Sequence, residues 1–134
     1  MSRPRAWSYL LLLPVLLLLM GGRQVPLSDP EPIAIPAGLN EALVTKAIKA
    51  ALVGLTWDLT EVQPGRILST LNLRTHMAKI EVAYDDQAIR IRYLDSSELM
   101  YAEKKGERLI HRNYLNWVQR LSNDIAKNLQ LVAP

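Results

Sequence analysis

Met77-Ala78-Lys79-Ile80-Glu81-Val82-Ala83-Tyr84-Asp85-Asp86-Gln87-Ala88-Ile89-Arg90-Ile91-Arg92-Tyr93-Leu94 is the stretch that decides the fold. Apolar and polar residues alternate through both of its halves, the period of a strand with one buried face. Read as strands at 77–84 and 88–94 with a two-residue turn at Asp86-Gln87, it pairs Tyr84 with Ile89, Val82 with Ile91 and Ile80 with Tyr93. All six then share one face, as the pleat requires. The same register sets Glu81 opposite Arg92 on the other face, a favourable cross-strand pair.

Upstream, residues 66–74 alternate again, with Ile67, Leu71 and Leu73 against Arg66, Thr70, Asn72 and Arg74. A turn at Thr75-His76 pairs Leu73 with Ala78 and Leu71 with Ile80, and leaves His76 at an exposed tip. Pro64-Gly65 is a strong turn signal, because proline fixes the first central φ and glycine allows a positive second one. A tight turn there pairs Val62 with Ile67 and turns Trp57 and Leu59 of the preceding strand, 56–62, away from the core. A bulge or a longer loop is therefore expected. Before it, Val44, Ala47, Ile48, Ala51 and Leu55 recur at helical spacing over 41–53. Asn40 is a suitable N-cap, Leu39 and Val44 fit a hydrophobic staple, and Gly54 suits a left-handed end.

Downstream, 95–108 reads as polar and irregular, with a short strand at 99–101 and a solvated turn at Lys104-Lys105-Gly106. A second helix starts near His111 and runs to about 129, its stripe being Tyr114, Trp117, Val118, Leu121 and Ile125. The expected fold is α+β: a two-layer sandwich in the order helix, four antiparallel strands, helix, with both helices on one sheet face. It occupies 39–131 as a single domain.

The first 22 residues stand apart. Arg3 and Arg5 precede an apolar run from Ala6 to Met20, then Gly21 and Gly22, the pattern of a signal peptide or an N-terminal membrane anchor. The positive end stays cytoplasmic, so the rest is expected to be exported, either held at the far membrane surface or released after cleavage. Leu19 and Met20 are poor −3 residues for cleavage at either glycine. The stretch 23–38 contains Pro26, Pro30, Pro32 and Pro36 and reads as an extended, semi-rigid linker; Ile33 and Ile35 offer an edge strand as the alternative.

The 134-residue chain is 49% apolar and 22% charged, with a net charge of +3. Arg3 and Arg5 account for two of the 16 basic residues, which leaves fourteen against 13 acids. So near-neutral a domain is not an electrostatic nucleic-acid binder. The absence of cysteine excludes disulfides, thiolate metal sites and cysteine nucleophiles.

Two surfaces stand out as candidate sites. Arg66, Arg74, Lys79, Arg90 and Arg92 project from the outer sheet face with Glu81 as the only acid, a surface for phospholipid head groups, acidic glycans or an acidic protein. Asp95, Ser96, His111, Arg112 and Tyr114 form a loop-and-helix site, which Tyr93, Tyr101 and Trp117 could line or which they could instead back as core. His111 with Asp95 and Ser96 can be drawn as a hydrolytic triad, but no nucleophile-elbow sequence accompanies it, and helix capping explains His111 as well. Asp95-Ser96-Ser97-Glu98 equally reads as a capping box. His76 and His111 lack the spaced carboxylates of a metal site. No cofactor motif is present. An apolar patch around Leu68, Met77 and Leu94 would instead mark an assembly subunit.

Residues 84–99, together with Ile110-His111-Arg112-Asn113-Tyr114-Leu115-Asn116-Trp117-Val118-Gln119-Arg120-Leu121, Ala47-Ile48 and Gly54-Leu55-Thr56-Trp57, resemble a family of small uncharacterised bacterial envelope proteins, often lipoproteins. The resemblance spans about 43–125. It implies a location on the periplasmic side of the bacterial inner membrane, or in the periplasm after signal cleavage, and it transfers no catalytic residue. Gly22 stands where the lipoprotein members carry the lipidated cysteine. The expectation is therefore a non-enzymatic envelope module that binds a protein or an anionic component, with a small hydrolase using His111 as the alternative. Membrane contact would come through the N-terminal segment if it is uncleaved.

Overall fold

The computed structural model describes residues 23–134; the expected signal or anchor at 1–22 lies outside the described residues. Its elements in chain order are β1 (Gln24–Pro26), β2 (Ile33–Ala34), α1 (Glu41–Gly54), β3 (Asp58–Gln63), β4 (Arg66–Leu73), β5 (His76–Tyr84), β6 (Ala88–Ser97), β7 (Ala102–Lys104), β8 (Glu107–His111) and α2 (Arg112–Val132). The class is α+β. The layout is larger than four strands: a five-stranded antiparallel sheet ordered β2-β6-β5-β4-β3, and a three-stranded one ordered β1-β8-β7. Among the described residues, no helix is long and apolar enough to cross a membrane.

The β5–β6 hairpin forms in the expected register, with Ile80 opposite Tyr93, Val82 opposite Ile91, Tyr84 opposite Ile89 and Glu81 opposite Arg92. The Asp85 carboxylate holds its turn by accepting from the Gln87 and Ala88 N–H groups at 2.7 and 2.8 Å. Those two bonds, Ala88's foremost, stabilise the ionised form and pull the Asp85 carboxyl below the ordinary carboxylate range. Beyond Ile80 the ladder slips, and Leu94 is the extra residue. The bulge puts Asp95 opposite Lys79 and Ser96 opposite Ala78.

The first hairpin resolves its conflict by the anticipated bulge. Val62 pairs with Ile67 across Pro64-Gly65, but Thr60 is left unpaired, so Leu59 faces Ser69 and Trp57 returns to the core. Gly65 has φ +76°, and a Cβ there would stand 3.0 Å from the Tyr84 carbonyl oxygen. The β4–β5 turn differs from expectation. It lies at Arg74-Thr75, pairing Leu73 with His76 and Leu71 with Ala78. This register differs from the expected one by a two-residue slip, and such a slip leaves every side chain on its original face, so alternation cannot detect it. What fixes it is Ser69, which turns inward opposite Ile80 and gives its hydroxyl to the Asp58 carbonyl at 2.7 Å. His76 is consequently not an exposed tip. It lies on the helix side, its ring 6.2 Å from that of Trp117.

Both helices pack on that inner face. Tyr84 bonds Thr45 of α1 at 2.7 Å, His76 meets Trp117 of α2, and Asn128 of α2 donates to the Ala47 carbonyl of α1. Ile48, Leu52, Ile67, Ile80, Val82, Ile89, Leu121 and Ile125 are fully buried in one cluster. Asn40 caps α1 by accepting from the Leu43 N–H at 2.9 Å. The left-handed residue that ends α1 is Thr56 (φ 66°), two residues beyond the Gly54 expected there. Thr56 N–H reaches the Val53 carbonyl and Trp57 N–H the Leu52 carbonyl, the paired bonds of a Schellman ending.

The stretch 23–38 is not a free linker. β1 pairs with β8 and β2 with β6, and Leu27, Ile33 and Ile35 pack against the core. Proline forced the extended backbone; the interleaved apolar residues decided that the chain lies down on the domain. The irregular region also gains order. Lys105 (φ 54°) and Gly106 (φ 77°) form the turn between β7 and β8, and the strand expected at 99–101 lies instead at Ala102–Lys104.

A threonine in left-handed backbone is strained by about 1–2 kcal/mol. Thr56→Gly is therefore expected to stabilise the fold by about 1 kcal/mol, read as a raised urea midpoint at unchanged m. Asp85, with its carboxyl held low in the fold, stabilises above the unfolded carboxylate pKa and loses that contribution as pH falls through the folded one. Asp85→Ala is expected to lower stability at neutral pH and to flatten the acid limb of the stability profile, measured by thermal melts from pH 7 downward.

Candidate functional site

The outer sheet face is less basic than the sequence suggested. Arg66 Nε donates to Glu81 Oε2 at 2.7 Å and its Nη1 to Glu61 Oε2 at 3.2 Å, while Arg92 lies 3.6 Å from Glu81 Oε1. The bond to Glu81 raises the Arg66 pKa above its ordinary value, so its charge is fixed and shared. The bulges at Thr60 and Leu94 bring Asp58 and Asp95 to this face opposite Thr70 and Lys79. Arg74 leaves the face altogether and sits in the β4–β5 turn. Lys79 and Arg90 remain there without an ion pair among the described residues. Glu81 is thus joined by Glu61, Asp58 and Asp95 among these bases, and the register shifts hid the last two.

The loop-and-helix set does not assemble as a triad. His111 is the N-cap of α2, and its Nδ1 accepts from the Asn113 N–H at 3.0 Å. Its backbone N–H donates to the Leu99 carbonyl at 2.7 Å. Ser96 Oγ bonds the Tyr93 hydroxyl at 2.6 Å, and Asp95 Oδ1 accepts from the Ser96 N–H. Arg112 is exposed, and its backbone N–H donates to the Arg23 carbonyl. The hydrogen bonds of His111, Ser96 and Asp95 therefore run to three different places, and the Nδ1 that a triad carboxylate would hold is occupied by the helix cap. Among the described residues, no three His, Asp or Glu side chains converge to hold a metal ion.

A tyrosine cluster lies where this set was sought. Tyr93 stacks on Tyr101 with centroids 5.0 Å apart and meets Tyr114 edge-on at 5.4 Å. The Arg108 guanidinium lies 5.9 Å from the Tyr93 ring centre, a cation–π contact with no periodic signal in the sequence. Tyr101 is exposed and donates its hydroxyl to Glu103 at 2.8 Å. Next to it, Met100 is 45% exposed, and Leu94 is 41% exposed at the bulge. Leu68 and Met77, expected to join Leu94 in one patch, are half-buried on the outer face.

The segment carrying Met100 departs from ordinary backbone geometry. Glu98 and Met100 both have positive φ, 58° and 57°, on either side of fully buried Leu99. Three successive carbonyls pin it: Glu98 is bonded by His76 Nδ1 at 2.6 Å, Leu99 by His111 N–H, and Met100 by Gln24 Nε2 at 2.7 Å. The His76 side chain therefore holds this loop, whereas His111 reaches it through its backbone N–H while its imidazole caps α2.

Tyr114 completes the cluster from below. Its ring is fully buried, and its hydroxyl has no hydrogen-bond partner among the described residues. Burial, with the negative charge of Asp29 nearby, drives its pKa far above the ordinary phenol value. A buried unpaired hydroxyl costs about 1–3 kcal/mol. Tyr114→Phe is accordingly expected to leave stability unchanged or to raise it by about 1 kcal/mol, measured by urea denaturation.

Comparison of the chain with family models, with curated proteins and with solved structures returns no match.

Proposed function

We propose that this chain is a non-enzymatic binding module of the bacterial cell envelope, facing the periplasm, that holds a protein partner at the patch formed by Met100, Tyr101 and Arg108. One observation supports the reading above the others: departures from local rules meet at this patch. Left-handed backbone at both Glu98 and Met100, on either side of buried Leu99, presents Met100 and Tyr101 to solvent. Each left-handed non-glycine residue costs about 1–2 kcal/mol, and such strain clusters where a surface is kept for use.

The residue types fit a protein partner. Tyrosine, methionine and arginine are enriched at interface centres, where aromatic rings bury much area at little entropic cost. The paired charges of the outer sheet face favour this patch over that face, since Arg66 and Arg92 already have carboxylate partners. The leader and the family resemblance support the exported location. The hydrolase reading loses support because the hydrogen bonds of its three residues run elsewhere.

A photo-crosslinking amino acid placed at Tyr101 of the full chain, in its native envelope, is expected to capture a discrete protein that the same probe at exposed Gln130 of α2 does not. Arg108→Glu in the Tyr101-labelled chain is expected to abolish the band. Equal capture at both positions, or none at Tyr101, would sink the proposal.

A further inference from the structure

The opposite edge of the sandwich carries a second surface. There α1 lies over β3, the last strand of the five-stranded sheet. An ordinary surface helix turns a polar face to solvent. The outward face of α1 instead sets Ala42, Ala50 and Val53 around Lys46 and Lys49, and Val53 is 61% exposed. Beside it Val62 of β3 is 46% exposed.

A continuous trough follows this face. At one end is a cavity of about 340 Å³ with apolar walls from Ile35, Leu39, Val44 and Pro64 and a rim carrying Glu41, Asp85 and Asp86. Among the described residues, no lysine or arginine lines it. From Glu41 and Pro64 the trough continues past Ala42, Thr45 and Val62, and it ends on α1 at Lys46, Lys49 and Val53. One end is therefore acidic and the other basic. None of Glu41, Asp86, Lys46 and Lys49 has an ion-pair partner within the described residues.

We infer that this trough is a self-association surface and that its occupant is a second copy of the same chain. A two-fold interface must be complementary to itself. A two-fold axis between Ala42 and Thr45, small side chains on this face, sets two α1 helices antiparallel. At 1.5 Å of rise per residue, Lys46 of each copy then falls beside Glu41 of the other. Lys49 falls one turn further along, at the mouth of the acidic cavity. The cavity suits a lysine, with apolar walls for the four-carbon stem and carboxylates for the ammonium. The bonds that hold Asp85 ionised keep part of that negative charge in place. An anionic partner is disfavoured at the acidic end and a uniformly cationic one at the basic end, whereas a second copy satisfies both. This surface is separate from the Tyr101 patch, so the two readings stand or fall independently.

The test uses the full chain in mild non-ionic detergent, with mass determined by sedimentation equilibrium at micromolar concentrations and folding checked by circular dichroism. The wild type is expected to be dimeric. Lys46→Glu with Lys49→Glu, and separately Glu41→Lys with Asp86→Lys, are each expected to weaken self-association by roughly tenfold or more, because each faces like charge with like. Mixing the two variants is expected to restore a dimer, since the carboxylates introduced on one chain then meet the ammonium groups introduced on the other. A monomeric wild type would overturn the inference. So would a dimer indifferent to both double variants, or two folded variants that fail to pair when mixed.

Discussion

The pairing of β5 with β6 is the constraint on which the rest of the molecule depends. Its register puts Ile80, Val82, Tyr84, Ile89, Ile91 and Tyr93 on one side, and that side is the floor on which both helices pack. It also sets Glu81 opposite Arg92, and Glu81 in turn gathers Arg66 from the next strand. A one-residue slip would turn one of the two strands over and bury either Glu81 or both Arg90 and Arg92 under the helices. The hairpin departs from its own alternation at one place, next to the Ile80–Tyr93 pair, where Leu94 is the extra residue and Asp95 to Ser97 resume pairing with β5 on exchanged faces. The tyrosine patch begins at that break.

The pattern that made this hairpin legible is the one feature a sequence states twice, once in each strand. Both helices were legible for a similar reason, since their buried stripes repeat over several turns. Where the reading failed, the competing structures were equivalent by the criterion applied. A two-residue slip of β4 on β5 leaves all faces unchanged, and only the buried Ser69 hydroxyl separates the two registers. Proline density established that 23–38 is extended, which is true both of a spacer and of a strand pairing with β6 or β8. The left-handed residues at Thr56, Glu98 and Met100 carry no glycine to announce them. Tertiary bonds impose that geometry, and those bonds join residues far apart in the chain.

The same reasoning explains why the candidate site was only half visible. Tyr93, Tyr101 and Tyr114 could be named from spacing, but Arg108 lies in a segment that looked irregular, and its place over Tyr93 depends on β8 pairing with β1. His111 and His76 attracted attention as titratable groups. Their observed partners are a helix N–H and a carbonyl, which makes His111 the cap of α2 and His76 a positioning residue for the loop. The basic sheet face was overestimated because each bulge exchanges the faces of the residues after it. Asp58 and Asp95 emerge among the arginines only once the bulges are known.

The geometry of the sheet relates the two surfaces to each other. The trough runs from α1 and the end of β3 across the Pro64-Gly65 and Asp85-Asp86 turns to Ile35, at the end of the sheet where β6 begins. The tyrosine patch lies at the far end of β6, beside the small sheet. Self-association through the trough, as proposed, would use a surface separate from both patches. Two copies joined as proposed would present two identical faces, and a partner that is itself repeated would meet the second face at a high effective concentration once the first is engaged. A patch of few residues, too small to bind tightly alone, gains from that arrangement without any new contact. This is a physical reason for one small domain to keep an unpolarised helix at one edge and a strained loop at the other.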